Sequence, residues 1–267
     1  MLYYFLEKKL HKTFKEYVER ETKYNVSETL GMGSYGVAYL LIHKHTKEKV
    51  VMKRLRAKHR KSTKTRSKFR QEIDMLKSIQ LSNVPTVLDE GELNHIPFYM
   101  MEYVDGHTFE YLIFEENQQF SEAESLQITQ QLLEIVMSLH SKGIVHRDLR
   151  IPNILICNER LHIIDFGLST YMKENNDIHL IKNPKRAENH ISDLYYIGHF
   201  LLYLLYSNYK PSNTKERSWQ EELQLSDDIR NFIERLLLIQ PAFSSTAEAY
   251  EAILQRTKAQ APPHSTV

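Results

Sequence analysis

Glycine is scarce in this chain, and its distribution restricts the fold more than any other feature. Only 8 of 267 residues are glycine, under half of the average share of roughly 7%. Three of them, Gly31, Gly33 and Gly36, nevertheless fall within six positions. The surrounding segment, residues 24–55, is rich in β-branched and aromatic residues and is broken by a polar turn. This pattern predicts an antiparallel hairpin with a glycine-rich tip, followed by a third strand.

The glycine spacing alone does not decide what the hairpin binds. A dinucleotide-binding fingerprint requires a helix directly after the last glycine and an acid about 20 residues later. Residues 37–42 read as a strand instead, which disfavours dinucleotide binding. Phosphate binding and a plain flexible hairpin both stay open. Lys53 favours phosphate, because it ends a strand segment that would lie beside the hairpin.

Composition excludes several classes of protein. The chain is 42% hydrophobic and 26% charged, with 35 Lys and Arg against 34 Asp and Glu. These values are typical of an ordinary globular protein and exclude disordered and fibrous folds. The net charge of +1 gives no global attraction to nucleic acid or membrane, so an electrostatic partner would have to bind locally. The length fits one large domain or two lobes.

Redox and targeting signals predict a cytoplasmic protein. The single Cys157 excludes a disulfide framework and a cysteine zinc site and indicates a reducing compartment. The most apolar run covers residues 195–206 and is too short to span a bilayer. The N-terminus lacks the apolar core and cleavage site of a secretory signal.

The N-terminal segment, residues 1–23, predicts an amphipathic helix. Apolar residues recur at three- and four-residue spacing among Lys and Glu, for example Leu6, Leu10, Phe14 and Val18. The apolar face could pack on the rest of the protein or bind a membrane surface. The acids on its polar face favour packing.

Further motifs follow Lys53 in one order. They are Glu72, the triplet His146-Arg147-Asp148 with Asn153, and the triplet Asp165-Phe166-Gly167. With these motifs residues 24–254 resemble the eukaryotic-like, bacterial-type Ser/Thr protein kinase family. The resemblance implies a bilobal α+β fold, with a β-rich N-lobe at 24–104, a helical C-lobe at 105–254 and a tail at 255–267.

The resemblance implies specific roles for these motifs. Gly31, Gly33 and Gly36 would let backbone N–H groups approach the ATP phosphates. Lys53 would contact the same phosphates, held by Glu72, although an isolated Glu72 could also be a solvated helix residue. The resemblance makes Asp148 the catalytic base.

Metal and acceptor positions follow from the same resemblance. Asn153 and Asp165 offer the hard oxygen ligands that Mg²⁺ or Mn²⁺ would take. Arg150 replaces the lysine that Ser/Thr kinases carry two residues after the base, which keeps the charge with a different geometry. The resemblance therefore favours Ser/Thr over Tyr acceptors without excluding Tyr.

The adenine pocket shows a paired departure from the family. The resemblance places four apolar side chains around the ring and gives the hinge backbone to three residues. The apolar residues are Ala38, Val51, Met101 and Leu155, and the hinge residues are Glu102, Tyr103 and Val104. The family usually has Val and Ala where this chain has Ala38 and Val51. The exchange keeps the pocket volume nearly constant, so we expect ATP binding to be preserved.

The activation segment is short. Only 28 positions separate Asp165 from Asp193, and no Ala-Pro-Glu motif occurs between them. The arginine that pairs with the glutamate of that motif is also absent from the corresponding stretch, residues 239–246. Losing one partner would leave a buried charge, whereas losing both can be nearly neutral. The joint absence predicts a coherent, shortened fold.

Switching by loop phosphorylation is disfavoured in such a short segment. Its hydroxyls are confined to Ser169, Thr170, Tyr171 and Ser192. Arg147, which would ordinarily bind a loop phosphate, could instead pair with an acid such as Glu174 or Asp177, or be structural.

One local charge anomaly lies at residues 54–70, where Lys or Arg fills nine of 17 positions and no acid occurs. A solvated connection, a docking site for nucleic acid or another polyanion, and autophosphorylation at Ser62, Thr63 or Thr65 are all compatible with it.

The motifs therefore favour a protein kinase that uses ATP and a divalent metal on a protein substrate. A small-molecule phosphotransferase usually shows His-Gly-Asp and lacks Asp-Phe-Gly. A pseudokinase would be expected to lose at least one of Lys53, Asp148, Asn153 and Asp165, all of which are present.

Overall fold

The chain divides into two compact units, Met1–Asp105 and Gly106–Val267. The computed structural model describes residues 2–173, 183–210 and 217–260, with the side chains of these residues except 2–4 and 258–260. The first unit is built around a β-sheet and the second is mainly helical. The predicted α+β kinase-like fold is therefore confirmed.

The described helices and strands have the following bounds. The helices are α1 (Leu2–Glu21), α2 (Thr63–Ser78), α3 (Phe109–Phe114), α4 (Glu122–Ser141), α5 (His190–Tyr206), α6 (Trp219–Glu222), α7 (Asp227–Leu236) and α8 (Thr246–Gln260). The strands are β1 (Tyr24–Met32), β2 (Gly36–His43), β3 (Lys49–Leu55), β4 (Val87–Leu93), β5 (Ile96–Glu102), β6 (His107–Thr108), β7 (Ile144–Val145), β8 (Ile154–Cys157), β9 (Arg160–Ile163) and β10 (Thr170–Tyr171). Short 3-10 turns occupy Ala57–His59, Ile151–Asn153 and Pro184–Arg186.

The sheet of the first unit has five strands in the order β1-β2-β3-β5-β4. Each neighbouring pair is antiparallel. The β1–β2 hairpin closes with Met32 opposite Val37, so the glycine tip is where the spacing predicted it. Strand β3 then returns antiparallel to β2, which confirms the third strand.

Helix α1 packs on this sheet through its apolar face. Phe14 and Val18 are buried, and the Phe14 ring meets the Phe98 ring of β5 edge-on at 5.8 Å between centroids. Aromatic pairs in this geometry are stabilised beyond simple area burial. The predicted amphipathic helix is thus a packed element of the first unit, as the acids on its polar face indicated.

Helix α4 runs through the core of the second unit. It begins at Ser121, whose hydroxyl accepts from Glu124 N while the Glu124 carboxylate accepts from Ser121 N. This reciprocal capping box satisfies two backbone donors at the start of the helix. Its apolar face is buried.

Helix α5 contains a glycine that its packing requires. A Cβ on Gly198 would lie 2.8 Å from Leu237 Cδ2 and 3.0 Å from Leu236 Cβ. Glycine in a helix interior costs roughly 0.5–1 kcal/mol relative to alanine, and here it permits close approach of the end of α7.

The stretch that lacks the family's arginine, residues 239–246, contains a buried apolar side chain. Phe243 is 1% exposed and packs on the Phe232 ring of α7 at 5.4 Å between centroids. The guanidinium of Arg235 lies 3.8 Å from the Phe243 ring centroid and pairs with Glu248 Oε1 at 2.5 Å. The stretch without the family's arginine therefore contains a packed apolar side chain, and the neighbouring Arg235 is paired.

Helix α8 extends into the predicted tail. It extends to Gln260, so residues 255–260, which the sequence assigned to a tail, are helical. Ala, Gln, Lys and Arg dominate this stretch and have high helix propensity, which explains the extension. The rest of the predicted tail, residues 261–267, lies outside the described residues.

Length and hydropathy together rule out a bilayer-crossing segment among the helices that the structure describes.

Candidate active site

Lys53 and Glu72 form an ion pair in the first unit. Lys53 Nζ on β3 lies 2.6 Å from Glu72 Oε1 on α2. The Tyr99 hydroxyl donates to the same carboxylate oxygen at 2.9 Å. Charge-assisted hydrogen bonds of this kind are about twice as strong as neutral ones. The predicted Lys–Glu pair is therefore present, with a third member that the motifs did not indicate.

Glu72 is held on the buried face of α2. The helix starts at Ser62, whose hydroxyl accepts from Thr65 N, and its buried face consists of Phe69, Glu72, Ile73, Met75 and Leu76. Glu72 is only 6% exposed, which excludes the solvated alternative. A buried carboxylate is costly unless it is paired, and Lys53 with Tyr99 supplies the partners.

The glycine tip leaves open space. A Cβ on Gly31 would meet no atom within 4 Å, and one on Gly33 would meet only Gly36 O at 4.0 Å. Gly36 has a different function, because a Cβ there would lie 2.9 Å from Lys53 Cε. The first two glycines are thus compatible with close approach of a ligand, and the third makes room for the lysine.

The candidate adenine residues of the first unit share one face of the sheet. Ala38 lies opposite Lys53, Leu40 lies opposite Val51, and Val51 lies opposite Met101. Directly opposed residues, and residues two apart on one strand, project to the same face. Ala38, Val51 and Met101 therefore line the same face as Lys53. The hinge residues Glu102, Tyr103 and Val104 follow directly at the end of β5, and Leu155 is buried in the second unit.

Asp193 organises the catalytic loop of the second unit. Its carboxylate is fully buried and accepts from His146 N at 2.8 Å and from Arg147 N at 2.7 Å. His140 Nε2 lies 2.9 Å from the same carboxylate. Burial alone would raise the pKa of Asp193, but the hydrogen bond and charge of His140 and the backbone donors lower the pKa overall. The carboxylate is therefore ionised and fixes the start of the loop.

His146 acts as a neutral structural residue. Burial lowers its pKa, so the ring is uncharged at neutral pH. Nε2 donates to Ile164 O at 3.2 Å, and Nδ1 accepts from Asp148 N at 3.3 Å. The Phe166 ring meets the His146 ring edge-on at 4.7 Å. His146 thus joins the loop that carries Asp148 to the segment that carries Asp165.

The Asp148 carboxylate is oriented by two side chains. Arg150 Nε lies 2.5 Å from Oδ1 and Arg150 Nη2 lies 2.9 Å from Oδ2. Asn153 Nδ2 donates to Oδ2 at 2.9 Å and to Asp148 O at 2.9 Å. The hydrogen bond to Asp148 raises the pKa of Arg150. The arginine fork therefore grips both carboxylate oxygens, a geometry that a lysine ammonium cannot reproduce.

Two oxygen-bearing side chains fit a hard divalent cation. The Asn153 amide nitrogen is used by Asp148, so its carbonyl Oδ1 is the group left to act as a ligand. Asp165 is exposed, and its Oδ1 accepts from Gly167 N at 3.3 Å. Among the described residues no group of three or more His, Cys, Asp or Glu side chains could hold a metal ion. Mg²⁺ commonly binds through one or two protein ligands together with substrate phosphates, which this donor set matches.

The hydroxyls of the activation segment are partly enclosed. Thr170 and Tyr171 form β10, which pairs with β7. Ser169 Oγ donates to His146 O at 3.1 Å, and Ser192 is fully buried. Ser192 is thus inaccessible to a kinase in this conformation.

Arg147 has an acidic partner that the sequence analysis did not select. Its Nη1 lies 3.9 Å from Glu188 Oε1, and its Nη2 donates to Arg186 O at 3.2 Å. Lys173 also pairs with Glu188. The expected partners Glu174 and Asp177 lie outside the described residues. Glu188 could have been considered from its position five residues before Asp193, in the connection that leads into α5.

The basic run at residues 54–70 is not one solvated surface. Arg54 is fully buried, and Arg56, Arg66 and Arg70 each have a carboxylate of the first unit within 4 Å. The remaining five cations are exposed. They are Lys58, Arg60, Lys61, Lys64 and Lys68. These five are available for an external polyanion, and the exposed Arg70, 3.8 Å from Glu92, is partly available.

Comparison with known proteins agrees with this geometry. The Protein kinase domain family matches residues 24–197. The chain is 37% identical over 229 residues to the "Probable serine/threonine-protein kinase YbdM" of Bacillus subtilis, which is 86% of this chain and 87% of that protein. It is 31% identical to the "SNF1-related protein kinase catalytic subunit alpha KIN12" of Arabidopsis thaliana, over 67% of this chain and 36% of that protein. It is 28% identical to "Calcium-dependent protein kinase 4" of Plasmodium falciparum, over 69% of this chain and 34% of that protein.

The chain therefore belongs to the protein kinase family and is an ATP-dependent phosphotransferase acting on protein. It spans nearly the whole of the Bacillus relative and about a third of the plant and parasite relatives.

The Arg147–Glu188 pair leads to a first prediction. If Glu188 takes the place of a loop phosphate, protein made without prior phosphorylation is already active, and Thr170→Ala changes kcat by less than about threefold. Glu188→Gln lowers kcat by about two- to fivefold, because a partly exposed ion pair is worth roughly 0.2–1 kcal/mol. Initial rates of phosphate transfer measure both effects.

The exposed Glu159→Gln variant is the control for loss of one negative charge. An inactive Thr170→Ala protein would restore loop phosphorylation as the switch.

Proposed function

We propose that this kinase transfers the γ-phosphate of ATP to Ser and Thr hydroxyls of protein substrates. The observation that carries the proposal is the formed Lys53–Glu72 ion pair at 2.6 Å. In protein kinases this pair must be in place for phosphoryl transfer. The formed pair is therefore the arrangement that an active kinase requires.

We assign the chemical step to Asp148. The acceptor hydroxyl oxygen attacks the γ-phosphorus, the bond from that phosphorus to the β–γ bridging oxygen breaks, and ADP leaves. The hydroxyl proton passes to the Asp148 carboxylate. Arg150 and Asn153 hold that carboxylate in one orientation, which supports positioning as a large part of the catalysis. Arg150 also adds positive charge beside the transferring phosphoryl group.

We assign ATP binding to residues of both units. The open glycines Gly31 and Gly33 admit the phosphates, and Lys53 contacts them as a point charge. Ala38, Val51 and Met101 offer an apolar face for adenine beside Lys53. The hinge backbone at 102–104 and Leu155 are assigned to the same ring on the family resemblance.

Two observations support Ser and Thr as the acceptors, namely the Bacillus relative and Arg150. That relative is named as a serine/threonine-protein kinase, and Arg150 keeps the positive charge that Ser/Thr kinases carry at this position. The transfer assay checks the acceptor class, because the label must appear on Ser and Thr residues of protein. A cytoplasmic location, inferred from the single Cys157, stays a prediction.

The central prediction concerns two single variants. Asp148→Asn and Lys53→Met each lower phosphate transfer at least about 10²-fold, because one removes the proton acceptor and the other a charge that positions the phosphates. The assay combines labelled ATP, Mg²⁺ and a mixture of casein and histone, followed by separation of protein from small molecules. Thermal melts check that both variants fold.

Asp89→Asn, an exposed carboxylate on β4, is the control and keeps wild-type activity. Wild-type turnover by the Asp148→Asn protein would refute the assignment.

Metal dependence is the next prediction. We propose that Asn153 and Asp165 hold Mg²⁺ or Mn²⁺, which neutralises phosphate charge when bound. ATP then binds more tightly with Mg²⁺ than without it, and Asp165→Ala removes the difference. Calorimetry with ATP, with and without Mg²⁺, measures this, and equal affinities for the unchanged protein would contradict it.

A second interaction is favoured by the five exposed cations between Lys58 and Lys68. If they bind a polyanion, heparin affinity falls steeply with salt, because binding releases condensed counterions. Changing Lys58, Arg60, Lys61 and Lys64 to Gln then flattens the slope of log affinity against log salt by up to about 3–4, since each contact contributes roughly 0.9.

The control for net charge changes four exposed cations of the second unit to Gln, namely Lys142, Arg160, Lys210 and Arg217. A salt-insensitive or absent interaction would leave these residues as a solvated connection.

A further inference from the structure

The tip of the glycine hairpin is held from one side by residues that follow β3. Arg56 Nη1 donates to Gly33 O at 2.9 Å, and Arg56 N donates to Tyr35 O at 2.8 Å. His59 Nε2 donates to Ser34 O at 3.1 Å, and its ring lies 5.5 Å from the Tyr35 ring. Three consecutive carbonyl groups of the tip are therefore bound by the 56–59 segment.

These contacts also fix the direction of the N–H group in each of the three peptide bonds. In a trans peptide the carbonyl of one residue and the N–H of the next point in opposite directions, and the described residues contain no cis bond. The N–H groups of Ser34, Tyr35 and Gly36 therefore point away from Arg56 and His59. Successive N–H groups turned to one side form the concave anion site that binds phosphate in many proteins.

The 56–59 segment is in turn held by helix α1 through one carboxylate. Glu7 Oε2 accepts from Ala57 N at 3.1 Å and lies 3.7 Å from Arg56 Nε. Arg56 Nε is buried and makes no hydrogen bond within the described part of the chain. Glu7 therefore supplies the counter-charge of the partly buried Arg56 guanidinium, whose side chain is 24% exposed.

The second oxygen of Glu7 reaches the residue that follows Lys53. Glu7 Oε1 lies 2.7 Å from Arg54 Nη1, and the buried Arg54 guanidinium also donates to the Tyr39 hydroxyl at 2.6 Å and 3.0 Å. One carboxylate of α1 thus braces both the end of β3 and the connection that holds the glycine tip.

We propose that Glu7 is a positioning residue for ATP: through Arg56 it holds the glycine tip with its N–H groups set for the phosphates. The N-terminal helix is then part of the nucleotide-binding apparatus, beyond its packing on the sheet. This proposal rests on the proposed kinase function. It concerns ATP affinity and leaves the chemical step to Asp148.

The test compares Glu7→Gln and Arg56→Gln with the unchanged full-length protein. Each variant raises KM for ATP by about three- to tenfold, the loss expected for one typical net hydrogen bond. Each changes kcat by less than about twofold and leaves KM for the protein substrate unchanged. The control is Glu16→Gln, which removes an exposed α1 carboxylate that pairs with Lys12 four residues earlier.

Hydrogen exchange separates this proposal from the proposed function. The amides of residues 33 and 56, which donate to Gly36 O and Tyr35 O, exchange faster in both variants than in the Glu16→Gln control, a result that needs no enzyme activity. Arg56→Gln leaves the Glu7–Arg54 ion pair in place. It therefore still tests how the glycine tip is held if the Glu7→Gln protein does not fold.

Unchanged exchange and unchanged KM in Arg56→Gln would overturn the proposal. An inactive unchanged protein that still shows faster tip exchange in the variants would refute the kinase assignment while leaving the coupling between Glu7 and the tip intact.

Discussion

The buried carboxylate of Asp193 is the interaction on which the second unit depends. It accepts from two successive backbone amides, His146 N and Arg147 N, and so holds Arg147 in a left-handed conformation with φ of 66°. Such a conformation is unfavourable for a residue with a side chain and persists only where surrounding contacts impose it. The turn is what directs Asp148 toward Arg150 and Asn153. Loss of the carboxylate would leave buried donors unsatisfied and would release the strained turn together.

In the first unit the Glu72 carboxylate has a role comparable to that of Asp193, because two side chains bind it. Lys53 and Tyr99 both bind Oε1, and Tyr99 lies opposite Lys53 across the β3–β5 pair. The sheet register therefore places the tyrosine on the face where the ion pair forms. A buried ion pair is stabilising only when its remaining hydrogen-bonding capacity is met. Tyr99 meets part of it, which stabilises the Lys–Glu pair.

Prediction from sequence succeeded where a motif is local and failed where contacts are distant along the chain. The glycine hairpin and the third strand follow from spacing within about 20 residues, and Glu72 as the partner of Lys53 follows from the family resemblance. Tyr99, Glu7 and Glu188 were missed because each acquires its function from a partner that only the tertiary structure brings close. Tyr99 could have been found by pairing β3 with β5. Glu7 could not, because nothing in an amphipathic pattern distinguishes a polar-face acid that meets solvent from one that meets a buried arginine.

The dependence on distant contacts also explains why the basic run could not be interpreted correctly from the sequence. Nine cations between Arg54 and Arg70 read as one exposed basic surface, yet strand alternation turns Arg54 into the interior while its neighbour Lys53 faces the candidate nucleotide residues. A buried guanidinium needs a carboxylate, and the run itself contains none. The acid had to come from elsewhere in the chain, and α1 supplies it through Glu7. The stretch without the family's arginine is the converse case, since the buried Phe243 needs no counter-charge, and the adjacent Arg235 is paired with Glu248. In both places the packing, and not the count of charges, determines which residues must be paired.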